Sequence, residues 1–264
     1  MKIHNIKYLL IAAFTLVFSA CDPIVDEQHL SNSTTVENVQ LKATNTTAGG
    51  NEIKLEMLSP GISGYWDYII DKALTDTRTI TMPVTGTFNF AFKGTLGAEF
   101  FEKTIPVTIS VLDHPVPPEW GALLGSNAKE GKTWVFDGTA GSGELFWFMS
   151  PPNDPNSAMS AWWNAGGECC PPLDVEGKMH FDLDGAPNYN HYQTASAAAE
   201  KGSFVLDVTN KKLFIKKSKI LGYEAGNSEN EYNIITLTED KLVLYVPKSL
   251  KDPKTGWTFV YKPE

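Results

Sequence analysis

Two adjacent tryptophans lie in a long stretch of the chain that has no clear strand pattern. Trp162 and Trp163 are followed by Asn164, and Asp154 precedes them in the same segment, residues 150–173. A flat indole can stack on the C–H face of a pyranose, and amides and carboxylates beside it can bind the sugar hydroxyls. This composition therefore predicts a sugar-binding loop. The alternative is a loop that packs over the end of a β domain.

A second predicted loop, residues 188–193 between predicted strands, has the same mixture of aromatic and polar side chains. Six of the seven tryptophans lie after residue 119, and two of them, Trp134 and Trp257, are expected in the core because they alternate with polar residues. The residues that we predict to bind a ligand are Trp147, Asp154, Trp162, Trp163, Asn164, Tyr189 and Tyr192.

Two neighbouring cysteines, Cys169 and Cys170, follow the tryptophan pair. Apart from Cys21 the chain has no other cysteine, so a vicinal disulfide and two free thiols both remain open. A tetrahedral metal site needs further Cys or His ligands at a suitable spacing, and the sequence offers none. We expect neither a metal nor a cofactor, although a structural calcium ion remains open.

The carboxylates do not form a recognisable catalytic pattern. Asp182 and Asp184 could share one face of a strand, as a glycoside hydrolase would need, but Asp184-Gly185 predicts a turn. The Gly-x-Ser-x-Gly, His-Glu-x-x-His and phosphate-loop motifs do not occur. We expect a protein that is not an enzyme, with a glycoside hydrolase as the alternative.

The elements that position these residues are predicted to be strands. Residues 36–113 contain alternating segments such as Ile53-Lys54-Leu55-Glu56-Met57, separated by glycine and proline turns, which predicts a β-sandwich. Trp66-Asp67 after a turn and Gly86-Thr87-Phe88 near a late strand resemble the PKD-type immunoglobulin-like domain. In that case, Trp66 is a core tryptophan.

A proline-rich stretch, residues 114–119, predicts a hinge, and residues 120–264 form a second β domain. About eight antiparallel strands fit a jelly-roll-like β-sandwich or, as the alternative, an eight-stranded lipocalin-like barrel. Within this domain only residues 195–201 suggest a helical turn. The fold class is therefore all-β throughout.

The first twenty residues have the order of a secretory signal: Lys2 and Lys7, an apolar run, and small residues before Cys21. The run is too short to span a bilayer. Phe18-Ser19-Ala20-Cys21 resembles the lipobox of bacterial lipoproteins, which implies a signal peptide at 1–20 and lipid on Cys21. Residues 21–35 are then a tether, and its acidic residues resemble the surface-export signal of Bacteroidetes lipoproteins.

The whole arrangement resembles lipoproteins of Bacteroidetes polysaccharide-utilisation systems, which implies an outer-membrane lipoprotein on the cell surface that captures glycan beside a SusC/SusD-like transporter pair. Removal of Lys2 and Lys7 leaves 20 basic against 31 acidic residues. Such a surface argues against a nucleic-acid partner. Two further alternatives are a binder of an apolar ligand inside a barrel and an envelope structural protein without a ligand.

Overall fold

A computed structural model describes residues 35–164 and 169–264, and these form an all-β structure with one short α-helix. The predicted signal peptide, Cys21 with its predicted lipid, and almost all of the predicted tether lie outside the described residues. Within the described ranges, no helix has both the length and the apolar character that a membrane span requires.

The N-terminal strands form two sheets that enclose a common core. One sheet has the order β1-β2-β5 and the other β4-β3-β6-β7. Their bounds are as follows: β1 Leu41–Asn45, β2 Glu52–Met57, β3 Ser63–Asp67, β4 Lys72–Ala73, β5 Thr77–Thr81, β6 Gly86–Leu96 and β7 Glu99–Ile109. Alternating burial along β2 and β6 shows that one face of each sheet is turned inward, as the two-residue period predicts.

Trp66 lies at the centre of this sandwich. Its side chain is fully buried, its ring meets Phe92 edge-on at 5.4 Å between centroids, and its Nε1 donates to the Asp76 carbonyl at 3.3 Å. The prediction of a core tryptophan is confirmed.

The second half of the chain forms nine strands and the helix α1, Pro118–Leu124, which begins inside the segment predicted as a hinge. The strand bounds are as follows: β8 Lys132–Phe136, β9 Trp147–Ser150, β10 Lys178–Asp182, β11 Asn188–Tyr192, β12 Glu200–Asp207, β13 Lys212–Lys216, β14 Glu231–Leu237, β15 Leu242–Val246 and β16 Gly256–Pro263. Proline at the first helical position suits α1 because the N–H that it lacks would have no partner there. Residues 195–197 form a turn and a bend, and residues 200–201 belong to β12, so the helical turn predicted over 195–201 is wrong.

These strands close into an eight-stranded barrel. From β10 to β16 each strand pairs with its neighbour in sequence, and β16 completes the ring by pairing with both β15 and β8. β9 continues the line of β8 along β16. The jelly-roll-like sandwich is therefore wrong and the barrel alternative is correct, because a jelly roll pairs strands that are distant in sequence.

The barrel interior is filled by side chains. Inward-facing aromatic residues from many strands contact one another, for example Phe181 with Tyr189 at 4.8 Å and Phe136 with Tyr261 at 5.1 Å between ring centroids. Close packing of this kind is normal for small barrels. It gives no support to an apolar ligand held inside, as a lipocalin-like binder would require.

The two ends of the barrel differ. At the closed end, α1 contacts β10 and β14 on opposite sides, and Trp134 Nε1 donates to the Leu123 carbonyl at 3.0 Å. Because the strands alternate in direction, the connections 151–177, 193–199, 217–230 and 247–255 all leave from the opposite end, which we call the loop end. The tryptophan pair therefore lies at the loop end.

Candidate functional site

The segment with the two tryptophans returns to the barrel and pairs with β9. Trp162 N donates to the Met149 carbonyl at 2.8 Å, and Met149 N donates to the Trp163 carbonyl at 3.1 Å. The backbone of both tryptophans is thus held by a β-bridge. This anchoring explains how a segment without a strand pattern can present large side chains in fixed positions.

The two indoles point in different directions. The Trp163 ring meets the buried Trp257 ring edge-on at 6.2 Å, so it leans over the barrel interior. Neighbouring side chains of an extended segment point to opposite faces, which directs Trp162 away from the barrel axis. Trp162 is 56% exposed and Trp163 41% exposed.

Two buried tryptophans lie beneath the pair. The rings of Trp147 and Trp257 are 4.7 Å apart, and the Lys251 ammonium lies 4.5 Å from the Trp147 ring centre. The Nε1 atoms of both buried tryptophans and the Nδ2 atom of Asn164 have no hydrogen-bond partner in the described part of the chain. Buried polar atoms are normally paired. The loop end therefore concentrates unused hydrogen-bond donors.

A buried polar pair fixes the segment that follows the tryptophans. Asp174 Oδ2 lies 2.9 Å from His191 Nε2 of β11, and Asp174 Oδ1 accepts from Gly222 N at 2.8 Å. Both side chains are almost fully buried. One carboxylate thus links a strand to two of the long loops, and this holds the loop end together.

Glu224 adds a half-buried carboxyl group at this end. Burial raises its pKa, while the hydrogen bond that it accepts from Leu173 N at 3.2 Å acts in the opposite direction. Asp174 raises the pKa further and Lys251 lowers it. Glu224 and Lys251 were not predicted from the sequence, in which neither stands in a recognisable motif.

The early part of the long loop lies against the outside of the barrel. Thr258 Oγ1 donates to the Ala158 carbonyl at 2.7 Å, and Tyr245 Oη donates to the Pro151 carbonyl at 2.6 Å. Asp154, predicted as a ligand-binding group, accepts from Asn156 N at 3.1 Å and from the Ser157 hydroxyl. Its carboxylate therefore caps the 3-10 helix Pro155–Ser157.

The structure joins Cys169 and Cys170 in a vicinal disulfide, one of the two states that the sequence left open. Both residues are exposed, and Cys169 N donates to Asn164 Oδ1 at 3.3 Å. Asn164 is thereby held between the tryptophan pair and the disulfide, with its backbone in the left-handed region.

The remaining predicted residues are dispersed. Trp147 and Tyr189, predicted as ligand-binding residues, are fully buried, and Tyr189 Oη donates to the Lys219 carbonyl at 2.6 Å. The inward direction of Tyr189 follows from the alternation along β11. Tyr192 is half-buried on the outer wall, with the Lys178 ammonium 5.6 Å from its ring centre. The structure thus brings together Trp162, Trp163, Asn164 and the disulfide.

Neither a metal cluster nor a relative identifies the site. Within residues 35–164 and 169–264, no group of three or more His, Cys, Asp or Glu side chains is placed to hold a metal ion. A scan against protein-family models finds no match, and a search of curated proteins finds none.

Proposed function

We propose that the chain is a cell-surface lipoprotein that binds a polysaccharide or oligosaccharide at the loop end of the barrel. The observation that carries the proposal is Trp162, an indole 56% exposed on a backbone that is held by the bridge to Met149. Trp163 supports it from the inner side through its contact with Trp257. An exposed aromatic ring gives a sugar a surface to stack on, and a backbone that is already held lowers the entropy lost on binding.

Unused donors beside the ring support the same function. Asn164 Nδ2 is buried, lacks a hydrogen-bond partner among the described residues and lies next in sequence to the pair. We propose that this amide turns outward on binding and donates to a sugar hydroxyl. We propose binding without catalysis, because Asp182, the better placed of the two candidate carboxylates, is committed to Asn188 Nδ2 at 2.6 Å and to Asp184 N at 2.9 Å.

The test is affinity electrophoresis and calorimetry of residues 22–264 against starch, laminarin, xylan and galactomannan. We expect Trp162→Ala to weaken binding by about tenfold, which corresponds to about 1.4 kcal/mol. The matched control is Phe100→Ala, since Phe100 is 90% exposed but lies on β7 of the sandwich. Unchanged binding in Trp162→Ala would remove the site, and no binding by the wild type would remove the function.

The proposal includes an outer-membrane anchor at Cys21, a PKD-type immunoglobulin-like N-terminal domain and a SusC/SusD-like transporter pair as partner. The lipobox resemblance supports the anchor, and the fully buried Trp66 on the third strand supports the immunoglobulin-like domain. Labelling with a lipid precursor tests the anchor. We expect label in the wild type and none in Cys21→Ser, and equal labelling of both would exclude lipid on this cysteine.

A further inference from the structure

The outer wall of the barrel carries a polar groove beside β11. It has a volume of about 580 Å³ and is formed by β10, β11, β12 and the turn before β8. Its principal side chains are Lys129, Asp182, Asp184, Asn190, Tyr192 and Lys201. The outward residues of β11 line it because Tyr189 and His191 take the inward positions.

Two uncharged side chains in this groove have free hydrogen-bonding capacity. In the described ranges, neither the Asn190 amide nor the Tyr192 hydroxyl makes a hydrogen bond to another protein group. Asn188, on the same face, is different, because its Nδ2 donates to Asp182 Oδ1 at 2.6 Å. The groove therefore offers the Asn190 amide and the Tyr192 phenol for binding a ligand, whereas the Asn188 amide is already hydrogen-bonded to Asp182.

The charges in the groove are of both signs. Lys129 Nζ lies 3.5 Å from Asp184 Oδ1, and Asp182 lies 3.6 Å from His180 Nε2. Lys201 and Glu130 complete the lining. A mixed surface of this kind does not attract a strongly charged polymer, and it suits an uncharged ligand rich in hydroxyl groups.

The groove and the exposed tryptophan lie on the same outer surface. Through the strand register, Trp163 is level with Trp257 and Tyr192 with Lys262. Trp257 and Lys262 are five residues apart on β16, which corresponds to about 17 Å along the strand direction. Leu173, which precedes β10, is attached to this wall, because its carbonyl accepts from Gln193 Nε2 at 3.2 Å. A single sugar cannot bridge this distance, whereas a short chain of sugars can.

We propose that the binding surface extends from Trp162 down the outer wall to Asn190 and Tyr192, and that its ligand is an uncharged oligosaccharide segment several units long. Trp162 stacks on one unit, and Asn190 and Tyr192 bind the hydroxyls of a later unit. This inference rests on the proposed function and defines its substrate class: affinity increases with chain length until the groove is filled.

The experiment is calorimetry with a disaccharide and a hexasaccharide prepared from whichever polysaccharide of the panel the wild type binds. We expect Asn190→Ala and Tyr192→Phe each to lower hexasaccharide affinity by about tenfold and to leave disaccharide affinity unchanged. Trp162→Ala weakens both ligands. Tyr192→Phe removes only a hydroxyl, so it keeps the packing of the wall. The matched control is Asn233→Ala, an outward amide on β14 in the opposite wall.

The possible results separate the two proposals. Hexasaccharide binding at wild-type affinity in both groove variants would overturn the extended surface and leave the loop-end site intact. Equal affinity of the wild type for both ligands would also overturn it. Absence of binding to every polysaccharide of the panel would overturn the proposed function, and this inference with it.

Discussion

The closed end and the loop end of the barrel use the same side chain in different ways. At the closed end, Trp134 is fully buried and its N–H is paired with the Leu123 carbonyl. At the loop end, Trp147 and Trp257 are equally buried, but their N–H groups have no partner among residues 35–164 and 169–264, and Trp162 is largely exposed. The difference indicates that the closed end is built for stability. The loop end retains polar groups and aromatic surface that the fold itself does not need.

The largest expected effect is at the closed end. Trp134→Ala removes a fully buried indole and leaves a cavity, so we expect the free energy of unfolding to fall by about 3–5 kcal/mol. Trp162→Ala, at the loop end, should change it by no more than about 0.5 kcal/mol. Urea denaturation of both variants measures the contrast. Equal losses would show that the two ends do not differ in this way.

Two conservative substitutions isolate the contribution of the hydrogen bond between Trp134 Nε1 and the Leu123 carbonyl. Trp134→Phe leaves the Leu123 carbonyl without its partner, whereas Trp257→Phe removes an N–H that has no partner in the part of the chain that the structure describes. We therefore expect Trp134→Phe to be the more destabilising by about 1–3 kcal/mol. Thermal and urea unfolding of the two variants provide the measurement. A larger loss in Trp257→Phe would mean that its N–H has a partner in solution.

Reduction of the vicinal disulfide should affect binding more than stability. A bond between neighbours closes almost no loop in the unfolded chain, so its entropic contribution to stability is small. We expect Cys169→Ser/Cys170→Ser to unfold like the wild type but to bind the polysaccharide severalfold more weakly, because Asn164 loses its support. Calorimetry and thermal unfolding of the double variant check both. A clear fall in melting temperature with unchanged affinity would contradict this role.

The smallest expected effect concerns Glu224. Burial raises the pKa of its carboxyl above 4.5, so the folded state favours the protonated form. The stability that this contributes is fully present below pH 4.5 and is lost as the pH rises through the folded pKa. Glu224→Gln lacks this dependence. Unfolding followed from pH 4 to 7 should therefore show wild-type stability declining relative to the variant, and parallel curves would exclude the effect.

The sequence predicted most strands where one face is apolar and the other polar. Ile53-Lys54-Leu55-Glu56-Met57 lies in β2 as expected. β11 was expected to be a loop, because asparagine is rare in strands and its inward residues, Tyr189 and His191, are not typical of a core. The barrel could not be chosen over a sandwich because the period of a strand does not reveal its partner. Only the pairing of β16 with β8 decides this.

The site was predictable in part. Composition alone drew attention to Trp162 and Trp163, and the structure gives them opposite orientations. The sequence could not reveal that Trp147 faces inward, since the four residues of β9 are too few for a clear alternation. Lys251 and Glu224 enter the site through contacts that are distant in the chain, and no local pattern predicts such contacts.

The pairing of β16 with both β8 and β15 also has a consequence for folding. Until Gly256–Pro263 docks, β8 and β15 are open edges of a curved sheet that exposes its aromatic face. The other strands can assemble as local hairpins, but the contact between Phe136 and Tyr261 requires the two ends of the barrel sequence to meet. Such long-range closure is slow compared with hairpin formation. The open sheet is then the species that a chaperone would have to protect from aggregation.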